Sequence, residues 1–498
     1  MQEKGIFATK PVAKLLEECG SSTLKRSLGP WALTALGIGG IIGTGIFVLT
    51  GLAAAQHAGP AIVISFIIAA LGCAFAALCY AEFAAMVPVS GSAYAYSYAT
   101  LGEFVAWFVG WNLVLEYMFA VSTVSVGWSR YLVKLLDHFN INFMPAALTS
   151  APLNVAADGI TIVTTGALIN LPAVFIVAVV TAICYVGITQ SSFVNAIIVS
   201  IKVGVIVLVI GFGAFYVNPE YWTPFIPEQT GPGQFGWEGI MRASGIIFFA
   251  YIGFDAVSTA AQEAKNPGRD MPIGIIASLI VCTVLYILMS LVLTGMLPYP
   301  QLNDAAPVAV ALMAHPGLNW LVPFVLFGAI AGITSVALVM SLAQARIFLS
   351  MSRDGLLFSG LGKVHPKYKT PYVATLFVGI FAATVGGLFP VGVLGELVSI
   401  GTLIAFIVVC IGVLILRYKR PGDARPFRAP AVWITAPLGV IFCSAMVLSL
   451  PPGTWWRLII WTALGVLLYF AYGYRNSVLR NGGDRSSSGS ATPARSPT

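Results

Sequence analysis

Three stretches of this chain carry residues that could do chemistry. The first, Gly37-Ile-Gly-Gly-Ile-Ile-Gly-Thr-Gly-Ile-Phe47, places five glycines in nine residues. Each glycine costs up to ~1 kcal/mol relative to alanine in a helix interior, so a helix here is expected to unwind around Ile41 to Gly45. The half-helix that follows would present free N–H groups at its positive end, where a carboxylate fits. The Thr44 hydroxyl would add one hydrogen bond, and carbonyls of the preceding half could accept from an ammonium. A stripe of glycines for close helix packing, with Gly39 and Gly43 forming GxxxG, is the competing reading. The second stretch, Gly245-Ile-Ile-Phe-Phe-Ala-Tyr-Ile-Gly-Phe-Asp255, ends its apolar run at Phe249 to Ile252 before Gly253 and a charged Asp255. The third is a lone lysine, Lys202, in Val199-Ser-Ile-Lys-Val-Gly204.

Lys202 has no charged neighbour in sequence and lies deep in an apolar run. A charge there costs several kcal/mol unless it is paired or neutralised. An amine stripped of water can exchange its proton near neutral pH, which makes Lys202 a candidate proton carrier or a fixed cation. Glu116 follows Trp111 and Asn112 in another apolar run. It reads either as a cavity acid that attracts a cationic side chain or as a buried structural acid. Asp255 is placed to cap the half-helix after the second interruption. Glu82 and Glu263 are expected near cytoplasmic ends, with Arg269 and Arg353 as candidate partners.

The elements that hold these residues must be membrane helices. Of 498 residues 58% are apolar and 9% charged, with a mean hydropathy of +0.90; a soluble domain is nearer a quarter charged. Apolar runs long enough to cross ~30 Å of hydrocarbon are read at about 31–52, 60–86, 104–128, 170–188, 193–216, 240–260, 273–297, 322–345, 372–389, 393–416, 432–450 and 455–474. With both termini inside, 21 of the 26 lysines and arginines face the cytoplasm. Only Arg130, Lys134, Arg242 and Arg457 face out, and Lys202 lies within a span. That bias supports twelve transmembrane helices with cytoplasmic N and C termini. It also makes the net charge of +7 a topology signal, so no nucleic-acid partner is expected. Spans one to five (31–216) and six to ten (240–416) each begin with an interrupted helix. Five is odd, so the second set runs in the opposite sense, an inverted repeat. Residues 1–30 form a cytoplasmic segment, 432–474 supply two further helices, and 480–498 read as a disordered tail.

Six of the seven cysteines lie in apolar runs, Cys19 lies in the polar N-terminal segment, and none makes a CxxC pair. They read as small apolar fillers with no disulfide framework, and no metal or cofactor is implied. No HExxH, no GxSxG and no P-loop is present, which argues against a membrane enzyme and against ATP-driven transport.

The stretches Gly37–Phe47 and Phe248–Asp255, the loop Glu263-Ala-Lys-Asn-Pro-Gly-Arg-Asp-Met-Pro272 and Ser352-Arg-Asp-Gly355 together resemble the amino acid–polyamine–organocation superfamily. Within it they resemble bacterial homologues of the cationic amino acid transporter family, from about Leu24 to Tyr474. The resemblance implies an all-α integral membrane fold of the leucine-transporter type: a five-plus-five inverted repeat with two additional C-terminal helices. It implies that a substrate carboxylate meets Gly43, Thr44 and Gly45. The ammonium would meet carbonyls of Ile41, Phe249, Ala250 and Ile252, with Phe249 as an aromatic lid. It matches Lys202 to a lysine that stands in a sodium site of sodium-coupled relatives, with Gly39, Thr334 and Ser335 as neighbours, and hence implies proton coupling. Glu116, Val121, Ser125 and Met340 are candidates for the side-chain pocket. The expected activity is secondary active import of L-amino acids across the plasma membrane, a bacterial inner membrane, by proton symport. An exchanger and a carrier of arginine, lysine or ornithine are the alternatives. The expected partners are the L-amino acid, protons and membrane lipid; a dimer and a small membrane subunit are both compatible with this reading.

Overall fold

The computed structural model describes residues 5–11, 27–87, 89, 91–141, 144–156, 161–187, 192–304 and 306–481. Most of the expected N-terminal segment, with Cys19, and the tail beyond Asn481 lie outside them. The principal helices are α1 (Pro30–Ile41), α2 (Ile62–Met86), α3 (Ser92–Thr100), α4 (Glu103–His138), α5 (Leu171–Val186), α6 (Ser192–Gly213) and α7 (Gly236–Ile247). They continue as α8 (Pro267–Met296), α9 (Val322–Arg353), α10 (Tyr372–Leu388), α11 (Val391–Lys419), α12 (Val432–Ser449) and α13 (Pro452–Leu468). One antiparallel hairpin, β1 (Leu153–Val155) with β2 (Ile162–Thr164), sits in the loop between α4 and α5.

Among the described residues nine helical segments are long and apolar enough to cross a membrane. Three apolar helices, α1, α5 and α10, fall short of that length. Local chemistry explains each shortfall. α1 stops at Ile41, inside the first expected span and within the glycine cluster, after Gly37, Gly39 and Gly40 and before Gly43 and Gly45. α5 has Pro172 in its first turn and ends on Gly187 in the left-handed conformation. α10 begins after Pro371, and Phe389-Pro390 follows it. The chain is an all-helical, multi-pass membrane protein. Its core helices bury small residues and aromatics, while Phe175, Ile280, Phe324, Ile380, Ile441 and Leu467 are exposed on the outer faces, as a lipid environment requires.

α4 packs extensively on α9 and on α11 and runs between two polar regions. At its start, the carbonyls of Ile6 and Ala8 accept from Phe104 N–H (2.9 Å) and Glu103 N–H (3.1 Å), so the N-terminal stretch caps this helix. Glu103 is fully buried and accepts from Tyr98 Oη and Tyr469 Oη, both at 3.0 Å, and from Ser477 Oγ. The segments around Ile6–Ala8 and Tyr469–Ser477 therefore meet at one end of α4.

The acids of the loop ends find partners other than those expected. Glu263 pairs with Arg346 at 3.0 Å. Glu82, 1% exposed on α2, accepts from Arg417 Nε (2.8 Å) and Nη2 (2.7 Å), from Ala429 N–H (2.8 Å), and lies 3.3 Å from Arg425. Removing one member of a buried ion pair strands the other and costs about 3–5 kcal/mol. Glu82→Gln is therefore expected to lower the thermal unfolding temperature of the purified protein by several degrees. Adding Arg417→Met to Glu82→Gln should cost less than the two single changes summed; strict additivity would show that the cluster is not cooperative.

Candidate functional site

The glycine cluster is a true interruption. The last ladder bond of α1 runs from Ile42 N–H to Ile38 O (3.0 Å), and the next runs from Phe47 N–H to Gly43 O (3.3 Å). The N–H groups of Gly43, Thr44, Gly45 and Ile46 lie between them. A π-helical turn, Gly45–Leu49, continues the chain. The second interruption follows α7: a 3₁₀ turn over Phe248–Tyr251, then Ile252 in extended conformation and Gly253 at φ +125°. The two interruptions touch. A Cβ on Gly45 would lie 2.4 Å from Ala250 Cα, and one on Gly253 would lie 2.6 Å from the Gly40 carbonyl carbon.

An interrupted helix leaves carbonyls without donors. In a continuous helix Gly39 O and Ile42 O would accept from Gly43 and Ile46. Here Lys202 Nζ replaces both, at 2.6 Å and 3.0 Å, and donates a third bond to Ser335 Oγ at 2.9 Å. The ammonium has three donors and three acceptors, and it sits at the negative end of α1. Its stem lies against Gly332 of α9. Tyr286 of α8 supplies a further donor: its Oη lies 3.0 Å from Ile41 O and 2.9 Å from Ala250 O, bridging the two interruptions.

Between the interruptions lies a cavity of about 10 Å³, room for no more than one water. Its backbone end is Gly40, Ile41, Gly43, Thr44 and Gly45, and its walls are Ala120, Val124, Phe249, Ile252, Val336 and Met340. Thr44 Oγ1 is buried there without a hydrogen-bond partner.

The sequence pattern of the amino acid permease family matches residues 28–470. The chain belongs to that family. A methylthioribose transporter of Bacillus subtilis (strain 168) is 47% identical over 474 residues, 95% of this chain and 99% of that protein. A branched-chain amino acid permease of the same organism is 47% identical over 475 residues, with the same coverage. A vacuolar cationic amino acid transporter of Arabidopsis thaliana is 38% identical over 408 residues, 82% of this chain and 66% of that relative. The protein is a permease and not an enzyme.

Of the residues expected in this permease's site, Ile41, Gly43, Thr44, Gly45, Phe249, Ile252 and Met340 line the cavity. Gly39 and Ser335 hold Lys202. Thr334 does not: its Oγ1 accepts from Trp128 Nε1 (3.0 Å) and donates to Ile330 O (2.7 Å), one position around α9 from Ser335. Ala250 is outside the cavity wall, with its carbonyl on Tyr286. Val121 and Ser125 are not cavity residues, because α4 turns Ala120 and Val124 inward and carries the next positions about 100° away. Ser125 Oγ bonds to Ser122 O at 2.7 Å. Glu116 is off the cavity too, one turn before Ala120, fully buried with both carboxylate oxygens unpartnered among the described residues. Asp255 makes no side-chain cap. It accepts from Gly253 N–H (3.2 Å) and from Tyr117 Oη. Tyr286 and Val336 were not singled out from the sequence. Tyr286 is one hydroxyl in an apolar run, and only its placement on α8 reveals its partners.

Space and backbone freedom are separable here. A Cβ on Gly43 would meet Val336 Cγ2 at 2.8 Å, a side-chain obstacle. Gly43→Ala is expected to destabilise by about 1–3 kcal/mol, and Val336→Ala in the same chain to recover most of it. Gly45→Ala faces the Ala250 backbone and should not be rescued by any side-chain change. Thermal unfolding of the purified variants measures both; loss from Gly43→Ala that Val336→Ala leaves untouched would place the cause in the backbone.

Proposed function

We propose that this permease imports neutral L-amino acids with apolar side chains across a bacterial inner membrane, by proton symport. One observation carries the reading: a cavity whose backbone end offers a helix N-terminus and an unpartnered Thr44 hydroxyl, and whose side-chain walls are all apolar. In this reading the substrate carboxylate meets the N–H groups of Gly43 to Gly45 and the Thr44 hydroxyl. The ammonium meets free lone pairs of the carbonyls at Ile41, Phe249, Ala250 and Ile252. Phe249 closes over it. Ala120, Val124, Val336 and Met340 then receive the side chain. Methylthioribose carries neither charge, and its hydroxyls would find one side-chain hydroxyl in these walls.

In the same reading the chain spans the membrane twelve times with both termini cytoplasmic. Residues 31–216 and 240–416 form the inverted repeats, and 432–474 form two added helices. The short helices α1, α5 and α10 fit as the remaining spans, α1 joined to the segment after its interruption. The lysine and arginine bias sets the orientation. Lys202 is the coupling element. As an ammonium it donates to both α1 carbonyls and to Ser335 at once; as a neutral amine it keeps two of its three donors, so loss of its proton removes one of these bonds and the charge that strengthens the others.

Glu116 favours a second reading. It is a buried, unpartnered acid one turn below Ala120 on the cavity side of α4, suited to a guanidinium or ammonium at the end of a long side chain. Transport of arginine or lysine, and exchange in place of symport, follow from it.

Thermal-shift measurements with leucine, valine, alanine, arginine and methylthioribose separate these readings; leucine and valine are expected to stabilise the protein and arginine is not. A proton entering with a zwitterion carries one charge, about 2.3 kcal/mol per 100 mV. Leucine uptake into proteoliposomes should therefore rise with a negative-inside potential, and indifference to that potential would exclude symport. Lys202→Met should abolish accumulation driven by a pH gradient while counterflow persists; accumulation that survives would remove Lys202 as the carrier.

A further inference from the structure

All four cations assigned to the outer face, Arg130, Lys134, Arg242 and Arg457, line one cavity of about 1210 Å³ at the far end of α4 from Glu103. Three are engaged. Lys134 lies 3.6 Å from Asp304, Arg457 lies 3.6 Å from Glu396, and Arg242 Nε donates to Ser449 O at 3.1 Å. Arg130 makes no hydrogen bond or ion pair among the described residues. The acid whose field reaches it is Asp304, already beside Lys134. Asp137, also on the wall, is two turns further along the same helix, about 10 Å away at ~1.5 Å per residue.

A second donor lines the same cavity and is tied to α4 at Ser129, the residue before Arg130. Asn170, 2% exposed, caps the start of α5, and its Oδ1 accepts from Ala173 N–H (3.2 Å) and from Ser129 Oγ (2.6 Å). With its oxygen committed twice, the NH₂ end of the amide is the part left to donate, and Asn170 lines the same cavity. A guanidinium fork with an adjacent amide N–H is a receptor for a planar carboxylate. Leu49, Val126 and Ile246 form apolar surface of the same cavity. Val124, on the wall of the small closed cavity, precedes Arg130 by six residues on α4, about 9 Å at ~1.5 Å per residue.

We infer that Arg130 and Asn170 form an outer subsite that takes the carboxylate of a small amphipathic acid one step before the closed cavity. The apolar tail of the acid lies toward Val126 and Ile246. Arg130 and Asn170 are binding residues of that subsite, distinct from the groups at the two interruptions. The inference rests on the proposed amino acid transport only for the direction of delivery; the carboxylate site itself stands on its own geometry.

The probe is radiolabelled 4-methylpentanoate, leucine without its amine, in equilibrium dialysis against the full-length protein in detergent. One molecule is expected to bind per chain. Arg130→Met should weaken binding at least tenfold, and Arg130→Lys, which keeps the charge without the fork, should weaken it less. 3-Methylbutylamine and inorganic phosphate should not compete. In proteoliposomes Arg130→Met should raise the KM for leucine about tenfold with kcat within twofold. Unchanged binding and unchanged KM in Arg130→Met, in protein that unfolds at the wild-type temperature, overturn the subsite, and so does equal competition by phosphate. If no leucine is transported but 4-methylpentanoate binding still depends on Arg130, the subsite stands and the transport reading falls.

Discussion

A helix that stops in the middle of a membrane leaves backbone groups that lipid cannot satisfy, and this constraint organises the molecule. Each unsatisfied N–H or C=O in hydrocarbon costs several kcal/mol. The interruption after Ile41 therefore exists only because other elements bring donors to it. Lys202 from α6 reaches the carbonyls of Gly39 and Ile42, and Tyr286 from α8 reaches that of Ile41. Three of the four carbonyls at the break, those of Gly39, Ile41 and Ile42, are thus bonded by side chains of the chain itself. The amide side, with the Thr44 hydroxyl, is left facing a cavity.

That asymmetry separates structure from function within a few residues. A carbonyl cluster closed by an ammonium is a stable polar unit, because three acceptors meet three donors and the dipole of α1 adds to the attraction. An amide cluster with no internal acceptor is an unfilled site. The glycines serve the contact between the interruptions, since Gly45 lies against the Ala250 backbone and Gly253 lies against Gly40. Tyr286 then ties the two breaks together through one hydroxyl. A change in the separation of the breaks must therefore alter the Tyr286 bonds.

The extent to which this was legible in the sequence follows from the range of each interaction. Glycine density is local, so the break near Ile41 to Gly45 could be read directly, and so could the one near Phe249 to Ile252. A lone lysine in an apolar run must find acceptors, so Lys202 announced itself. Which acceptors it finds depends on how α9 is rotated: Ser335 faces it, and Thr334, one residue earlier, faces Trp128. The same one-residue rotation put Ala120 and Val124 on the cavity in place of Val121 and Ser125. Sequence gives helical period but not phase relative to a neighbour, and phase decides wall residues. Tyr286 and Asn170 escaped notice because a single hydroxyl or amide beside an apolar run carries no pattern; only their long-range partners give them meaning. The runs at 170–188 and 372–389 reappear as α5 and α10 within two residues at each end, bounded by proline and glycine.

The closed cavity adds a constraint on mechanism. At about 10 Å³ it cannot hold even an alanine, so a substrate taken up there, as proposed above, must first part Ala120 and Val124 of α4 from the two interruptions. α4 is tied at one end, where Glu103 holds Tyr469 and Ser477 and the N-terminal carbonyls cap its first turn. Its other end borders a far larger cavity, lined there by Arg130, Lys134 and Asp137. The helix is tied near Arg130 as well, where Trp128 donates to Thr334, Ser129 to Asn170 and Tyr131 Oη to Phe47 O (2.8 Å), so α4 is held along its length. Room for a ligand is most easily made by moving the broken helices against α4, since their own ladders are already open, while α4 keeps an unbroken set of backbone bonds along its length.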